Sequence, residues 1–239
     1  MTGSAAAVEE VPWWLDVNGE RVATGTVLPR ALEPFFVGRL ATDGVIARRD
    51  HILSLEIDRV QPGVLAARAL VPLARARTAG EERRHRSTHG CGVLYVATCH
   101  PSTRFERRPV PEGTSFTALF RALFADAETR HEGGVHAVAL SEGTLLRHQH
   151  EDVGRHNAVD KAIGAALLAG DDLTGHGLLL SSRVSGDIAA KAARCGIAWI
   201  ASRSVPTTLA LRIANVCGVA IVARAAGKHA IVHAPEVGR

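Results

Sequence analysis

Between Glu151 and Gly164 the chain reads EDVGRHNAVDKAIG, which sets two acids, Arg155, His156, Asn157 and then Asp160 and Lys161 at the start of a helical pattern. Ala158, Val159, Ala162 and Ile163 recur at helical spacing as a buried stripe. A helix therefore starts beside Gly154, with its polar side chains on one fixed edge. Arg, His and Asn beside the N–H groups of a first helical turn suit an anionic ligand, because side-chain donors and the helix macrodipole point the same way. A capped, solvated helix start with local salt bridges would explain the charges, but it would not require so mixed a run of donors.

Cys91 is the second candidate, bracketed by Gly90 and Gly92 in THGCGVL. Flanking glycines leave a sulfur open to a reactant. Arg84, His85, Arg86 and His89 close by favour the thiolate, the nucleophilic form. The plainer reading is a small buried side chain where a strand begins. His89, Cys91, Cys99 and His100 also carry zinc-type donors, but neither pair has a recognised two-ligand spacing and an apolar run, Leu94 to Ala97, separates them. Cys195 and Cys217 each precede a glycine at a helix end and read as core thiols.

Three further groups bear polar chemistry at element ends. His136 interrupts an apolar strand in GGVHAVAL, either as a satisfied core histidine or as a side chain facing a ligand. Ser181, Ser182, Arg183, Ser185 and Gly186 lead from a strand into a helix, where hydroxyls and N–H groups converge as phosphate sites require. Ser204, Pro206, Thr207 and Thr208 repeat the arrangement one unit later, although each junction could also be an ordinary N-cap.

These residues need elements to hold them. Asn18-Gly19 between short apolar segments signals a hairpin, followed by a helix over Leu32 to Leu40 and strands over Ile52 to Ile57 and Val64 to Leu73. Residues 1–74 thus read as a small α+β domain. Residues 75–114 hold the Arg-rich loop, Cys91 and a connecting segment, and the charges of Arg83, Arg84 and Arg86 read first as a solvated run. In residues 115–239, Phe116, Leu119, Phe120, Leu123 and Phe124 make a helical stripe with Thr114 or Ser115 as N-cap. Strands are expected at Val135 to Leu140, Leu145 to His150, Leu178 to Ser181, Ile197 to Ala201 and Val219 to Ala223. Helices at Gly186 to Arg194 and Thr207 to Asn215 alternate with them. That order is α/β: a mixed sheet flanked by helices, with ligands expected at strand C-termini.

Composition narrows the function. With 239 residues, 46% of them hydrophobic, the chain can build one large domain or a small one attached to a larger. Lysine occurs only at Lys161, Lys191 and Lys228, so the net charge of +4 rests on arginine, which suits bidentate phosphate or carboxylate contacts. Aromatics are 4% and no basic stripe alternates with them, so no nucleic acid is expected as a partner. Acids stand where a signal peptide would be basic, and no apolar run approaches the ~18 residues of a membrane span. A soluble, cytoplasmic protein with reduced thiols and no membrane partner is expected, its four cysteines making no disulfide framework.

GGVHAVAL, EDVGRHNAVDKAIG, LLLSSRVSGDIAAKAA and SVPTTLA, in this order, closely resemble the FdhD family, the formate dehydrogenase accessory sulfurtransferases. The resemblance covers most of residues 87–235 and extends more weakly to LDVNGE and EPFFVGRLATDGVI. It implies a cytidine deaminase-like larger domain and a homodimer. It also implies a function: taking sulfur from a cysteine desulfurase as a persulfide and passing it to the molybdenum bis-molybdopterin guanine dinucleotide cofactor of formate dehydrogenase. The family's CGxC persulfide motif falls on Cys91-Gly92-Val93-Leu94, so Cys91 is the implied catalytic residue and Leu94 replaces the second thiol. One sulfur nucleophile suffices for a persulfide, and Cys99 lies across an apolar strand, too far to restore a vicinal pair.

The family's C-terminal cofactor contact falls on VARAAGK, so Ala223, Arg224, Ala225, Ala226, Gly227 and Lys228 are implied cofactor contacts. His136, Arg155, His156, Asn157, Ser182, Arg183 and Thr207 join them as the polar element ends described above. The family's Tyr-Thr-His-Pro ending has become VHAP here. No metal ligand set is expected. Zinc-dependent deamination would need His-x-Glu and Cys-x-x-Cys, where this chain has His136-Ala137-Val138 and no CxxC. Two functions remain: a sulfurtransferase using Cys91, or a paralogue that holds the cofactor for a molybdoenzyme without transferring sulfur.

Overall fold

A computed structural model describes residues 7–61, 63–73, 110–131 and 134–235, without side-chain detail for 126–131. Cys91, Leu94, Cys99, the Arg-rich stretch and the candidate zinc donors lie outside the described residues.

The chain opens with β1 (Val11–Val17) and β2 (Glu20–Val27), an antiparallel hairpin whose turn residues Asn18 and Gly19 both take positive φ. Next come α1 (Leu32–Thr42), β3 (Ser54–Gln61) and β4 (Val64–Leu70). The strands form a sheet in the order β2-β1-β4-β3, with β1 and β4 parallel. β3 begins later than the apolar pattern indicates because Arg49–His51 make a turn of 3-10 helix first. The alternation of β1 buries Val11, Trp13, Leu15 and Val17, and Trp13 meets Phe35 and Phe36 of α1 edge-on at 5.1 and 5.7 Å.

The larger sheet follows α2 (Phe116–His131). It contains β5 (His136–Glu142), β6 (Leu145–Asp152), β7 (Gly177–Leu180), β8 (Trp199–Ser202), β9 (Ala220–Ala223) and β10 (Ile231–His233) in the order β10-β9-β8-β7-β5-β6. β7, β8 and β9 are parallel, while β5, β6 and β10 run against their neighbours. α3 (Arg155–Ala169), α4 (Gly186–Arg194) and α5 (Thr208–Cys217) cover one face. α2 covers the other, packing Leu119, Phe120 and Leu123 over Ala137, Ala139, Leu179 and Trp199. The expected stripe on α2 is therefore core. Its first helical bond is accepted by the Ser115 carbonyl, whereas the Thr114 hydroxyl donates to Pro111 O.

A single core runs across both sheets, because α1 lies between β1 and α3. Gly38 of α1 and Gly164 of α3 let the helices touch backbone to backbone: a Cβ on Gly38 would fall 1.7 Å from the Asp160 carbonyl oxygen, and one on Gly164 1.8 Å from that of Pro34. Only glycine fits either place.

Asp160 and Lys161 depart from the expectation of a polar helix edge. Both are buried, one on each side of α3. Asp160 receives Lys191 Nζ at 2.5 and 2.7 Å and the Thr42 hydroxyl at 2.7 Å. Lys161 Nζ meets Asp152 at 2.7 Å and donates to the carbonyls of Leu28 and Glu151. Charges buried this deeply persist only when paired, so these two bind α3 to α1, α4 and β6 and offer no contact to a ligand. Their burial lowers the pKa of Lys161 and Lys191, with Asp152 and Asp160 opposing the shift.

Candidate functional site

The C-terminal ends of β7, β8 and β9 and the N-terminal end of β5 lie together, since Val138 pairs with Leu180 and Leu180 with Ser202. β6 ends opposite His136, at Asp152, and leads directly into α3. This edge therefore gathers the starts of α3, α4 and α5 with the turn after β9. The sequence motifs from Gly154 to Thr207 and from Arg224 to Lys228 meet there, at a place where open α/β sheets hold ligands.

Each junction is fixed by its own chemistry. Asp152 accepts from Gly154 N–H at 2.9 Å and from Asn157 Nδ2 at 3.0 Å, and the same Asn157 amide donates to Thr26 O at 2.8 Å. A Cβ at Gly154 would sit 2.9 Å from Asn157 Nδ2, so close approach and not an unusual φ calls for glycine there. Asn157 thus uses its donors to tie α3 to β2. Ser181 Oγ accepts from Ala137 N–H, joining β7 to β5. Ser202 Oγ donates to Ser182 O at 2.6 Å and accepts from Ser204 N–H at 2.9 Å. Ser182 is itself buried and donates to Arg183 O. Thr207 Oγ1 accepts from Ala210 N–H, making it the N-cap of α5. Asn157, Ser182 and Thr207, which the sequence marks as ligand contacts, hold the backbone of the site.

His156 points instead across to α4. Its Nε2 lies 3.3 Å from Ser185 Oγ and 3.9 Å from Asp187. Ser185 occupies the N-cap position of α4, yet its side chain does not cap the helix. Burial drives the His156 pKa down to about 3, helped by the charges of Lys191, Arg155, Arg39 and His136. The ring is neutral at physiological pH, with one nitrogen donating and the other accepting. His136 is also lowered, by burial first and then by Arg155, against the pull of Asp152. Asp187 is raised by burial, opposed by Lys191, Arg155 and Arg39. The charge most able to meet a ligand here is Arg155, whose Nε is buried with no hydrogen-bond partner among the described residues. The Arg155 guanidinium, two histidines held below their usual range and a helix start present donors of the kind an anion takes, with Asp187 and Asp152 as the nearby acids.

Arginines line the outer rim. Arg183 follows β7, Arg203 follows β8 and Arg224 follows β9, all three exposed. Arg203 stacks its guanidinium 5.2 Å from the Phe124 ring centre. Arg224 takes a positive φ of 51° and donates its N–H to Ser204 O, while Ala225 N–H reaches Ser202 O. These bonds bend the chain so that Ala226, Gly227 and Lys228 pass beside the same edge, and Gly227 N–H closes the turn on Arg224 O. Sequence reasoning missed Arg39, Asp152, Asp187 and Arg203. The signal for Arg203 was its place directly after a strand, equivalent to Arg183. Arg39 comes from α1, in the other sheet's layer, and carries no local signal.

Among the described residues no group of three His, Cys, Asp or Glu is placed to hold a metal. Cys195 and Cys217 belong to the core as expected, and burial pushes the Cys195 thiol up to about 12. Cys195 therefore offers no thiolate. No helix among the described residues is long and apolar enough to cross a membrane.

The architecture is thus that of an α/β protein whose candidate site lies at the C-termini of its parallel strands. Residues 8–237 match the FdhD/NarQ family model, and the chain belongs to that family. It is 35% identical over 232 residues to a protein from Burkholderia cenocepacia named sulfur carrier protein FdhD, covering 90% of this chain and 82% of that one. A protein of the same name from Cupriavidus necator is 31% identical over 239 residues, covering 95% and 82%. A crystal structure described as a formate dehydrogenase accessory protein from Desulfotalea psychrophila superposes with a TM-score of 0.70 at 25% identity, covering 95% of this chain and 86% of that one.

Proposed function

We propose that this chain is a sulfur carrier acting as a sulfurtransferase, with Cys91 as its persulfide site. The Cys91 thiolate attacks the terminal sulfur of a cysteine desulfurase persulfide. The donor's S–S bond breaks, the donor leaves as thiolate, and a new S–S bond forms on Cys91. An acceptor thiolate then attacks the terminal sulfur, the S–S bond to Cys91 breaks and Cys91 leaves as thiolate; where the acceptor is the molybdenum of bis-molybdopterin guanine dinucleotide, destined for formate dehydrogenase or a related molybdoenzyme, the reduced metal would supply the two electrons that convert the sulfane sulfur to sulfide. Cys91 is regenerated.

One observation carries the cofactor half of this reading: Arg155, His156, Arg183 and the Arg224–Lys228 turn come from separate stretches of sequence and meet at one sheet edge. The nucleotide end of the cofactor presents phosphates and a planar base. Arg155 and the N–H groups of the α3 start suit the phosphates, and His156 and His136 can hydrogen-bond without adding charge. The names of the relatives support the sulfur half. The protein acts in the cytoplasm as a homodimer in this reading.

A second reading, a cofactor-holding paralogue without transfer, is favoured by Leu94 in place of a thiol. Activation of a sulfur-depleted formate dehydrogenase by the wild type and by Cys91→Ala distinguishes the two. Loss of activation in the variant supports the carrier, and full activation supports the paralogue.

A further inference from the structure

Arg203 is the first residue after β8, and backbone bonds fix its place. Its N–H donates to Leu180 O at 3.1 Å, Ser204 N–H donates to Ser202 Oγ, and Ser204 O accepts from Arg224 N–H. The chain at Arg203 is therefore held between the β7 junction and the Arg224–Lys228 turn, inside the candidate site. The alternation of β8 sets the direction of the side chain: Trp199 and Ala201 face α2, and Arg203, two residues on, goes the same way. By the same alternation against Ala137 and Ala139, His136 faces the α3 side, close enough to Arg155 to feel its charge. Since β7 alone separates β8 from β5, Arg203 and His136 flank the sheet edge on opposite faces, two strand spacings or about 10 Å apart.

On the α2 side the guanidinium meets a ring. Arg203 Cζ lies over Phe124, 5.2 Å from the ring centre, and Phe124 packs against the buried Phe120 at 5.8 Å. Ala225 and Ala226 of the Arg224–Lys228 turn belong to the same apolar cluster. Arg203 is exposed, so the face turned away from Phe124 is open. Among the described residues no carboxylate pairs with it, whereas Arg21, Arg39, Arg48, Arg68 and Arg147 are each held by an acid. A guanidinium oriented by a ring and left without a counter-charge is a flat cationic platform. Such a plane takes a planar heteroaromatic ring by stacking and is attracted to its π cloud as well.

We propose that Arg203 is a stacking residue for the base of the bound nucleotide, with Phe124 beneath it as support. This rests on the proposed cofactor reading and adds the placement of the base. The phosphates meet the α3 start on one face of the sheet edge, and the ring lies on Arg203 at the other. That separation is within reach of a nucleoside diphosphate, whose phosphates and base are joined through one ribose. A stack reads the plane of a ring and not its edge, so Arg203 favours a nucleotide over its bare phosphates without choosing among bases.

Calorimetric titration of the full chain with guanosine diphosphate, and competition against it by inorganic pyrophosphate and by pterin-6-carboxylate, tests the assignment. Arg203→Lys keeps the charge and loses the plane. It should weaken guanosine diphosphate by about fivefold or more and leave pyrophosphate within about twofold of the wild type. Phe124→Leu, at a matched unfolding midpoint, should weaken guanosine diphosphate too; unchanged affinity there overturns the part assigned to Phe124. A smaller loss for guanosine diphosphate in Arg203→Lys, or an equal loss for pyrophosphate, overturns the inference and leaves the cofactor reading standing. So does a loss confined to pterin-6-carboxylate, which would assign the platform to the pterin end of the cofactor. A wild-type chain that does not bind guanosine diphosphate overturns the cofactor reading itself, and this inference with it.

Discussion

Lys191 Nζ of α4 lies 2.5 and 2.7 Å from the two carboxylate oxygens of Asp160 on α3, and both residues are buried. The pair sits one helical turn beyond His156 on one side and Asp187 on the other, so it fixes the distance between the two helix starts of the candidate site. Asp160→Asn or Lys191→Met each leave a buried charge without its counterpart and should cost about 3–5 kcal/mol in denaturant unfolding. The double variant Asp160→Leu/Lys191→Met should cost less than the sum of the two, since both charges leave together.

Gly164→Ala tests the helix contact that joins the two sheets. Its Cβ would meet Pro34 O at 1.8 Å, backbone against backbone. The variant should lose at least about 1–3 kcal/mol of stability. Gly143, exposed and with no atom within 4 Å of a Cβ, sits at φ 60°, so Asn, which tolerates the left-handed region, should cost less there than Ala.

His156 gives the pH dependence a sign. Its folded pKa is about 3 against 6.5 for the free side chain, so below pH 6.5 the unfolded chain takes up a proton that the folded chain refuses. Stability should fall as pH drops from about 6.5 toward 3, by up to roughly 1.4 kcal/mol per pH unit from this residue. His156→Gln should flatten that limb of a stability profile measured by urea unfolding.

Arg155 and Thr207 should separate binding from scaffolding. Guanosine diphosphate, a stand-in for the nucleotide end of the cofactor, should bind about tenfold or more weakly to Arg155→Gln at unchanged thermal stability. Thr207→Ala should lower stability by about 1 kcal/mol through loss of the α5 cap and leave the affinity nearly unchanged.

Element order was legible in the sequence because the periodic signals are local. Asn18-Gly19 marks its hairpin, the Phe116 to Phe124 stripe its helix, and the Gly186 to Arg194 helix begins and ends as read. The edge that gathers the motifs followed from alternating strands and helices. Side-chain roles did not. Asp160 and Lys161 read as a polar edge because Lys191, which meets Asp160, and Leu28, which meets Lys161, are far along the chain, and Asp152 comes under Lys161 only where β6 turns into α3. The bonds that Asn157 makes to Thr26 O and Asp152, and Thr207 to Ala210 N–H, carry no local signal, because donors and acceptors that satisfy a backbone and those that meet a ligand are the same residue types. Arg39 reaches the site's field only through the packing of α1 on α3.

The central claim rests on Cys91. Intact-mass measurement after incubation with a cysteine desulfurase and cysteine tests it most directly. The account predicts that the wild-type chain gains one sulfur atom, that a thiol reductant removes it, and that Cys91→Ala does not gain it. A wild-type chain that gains no sulfur, or a Cys91→Ala chain that gains it equally, would contradict the account.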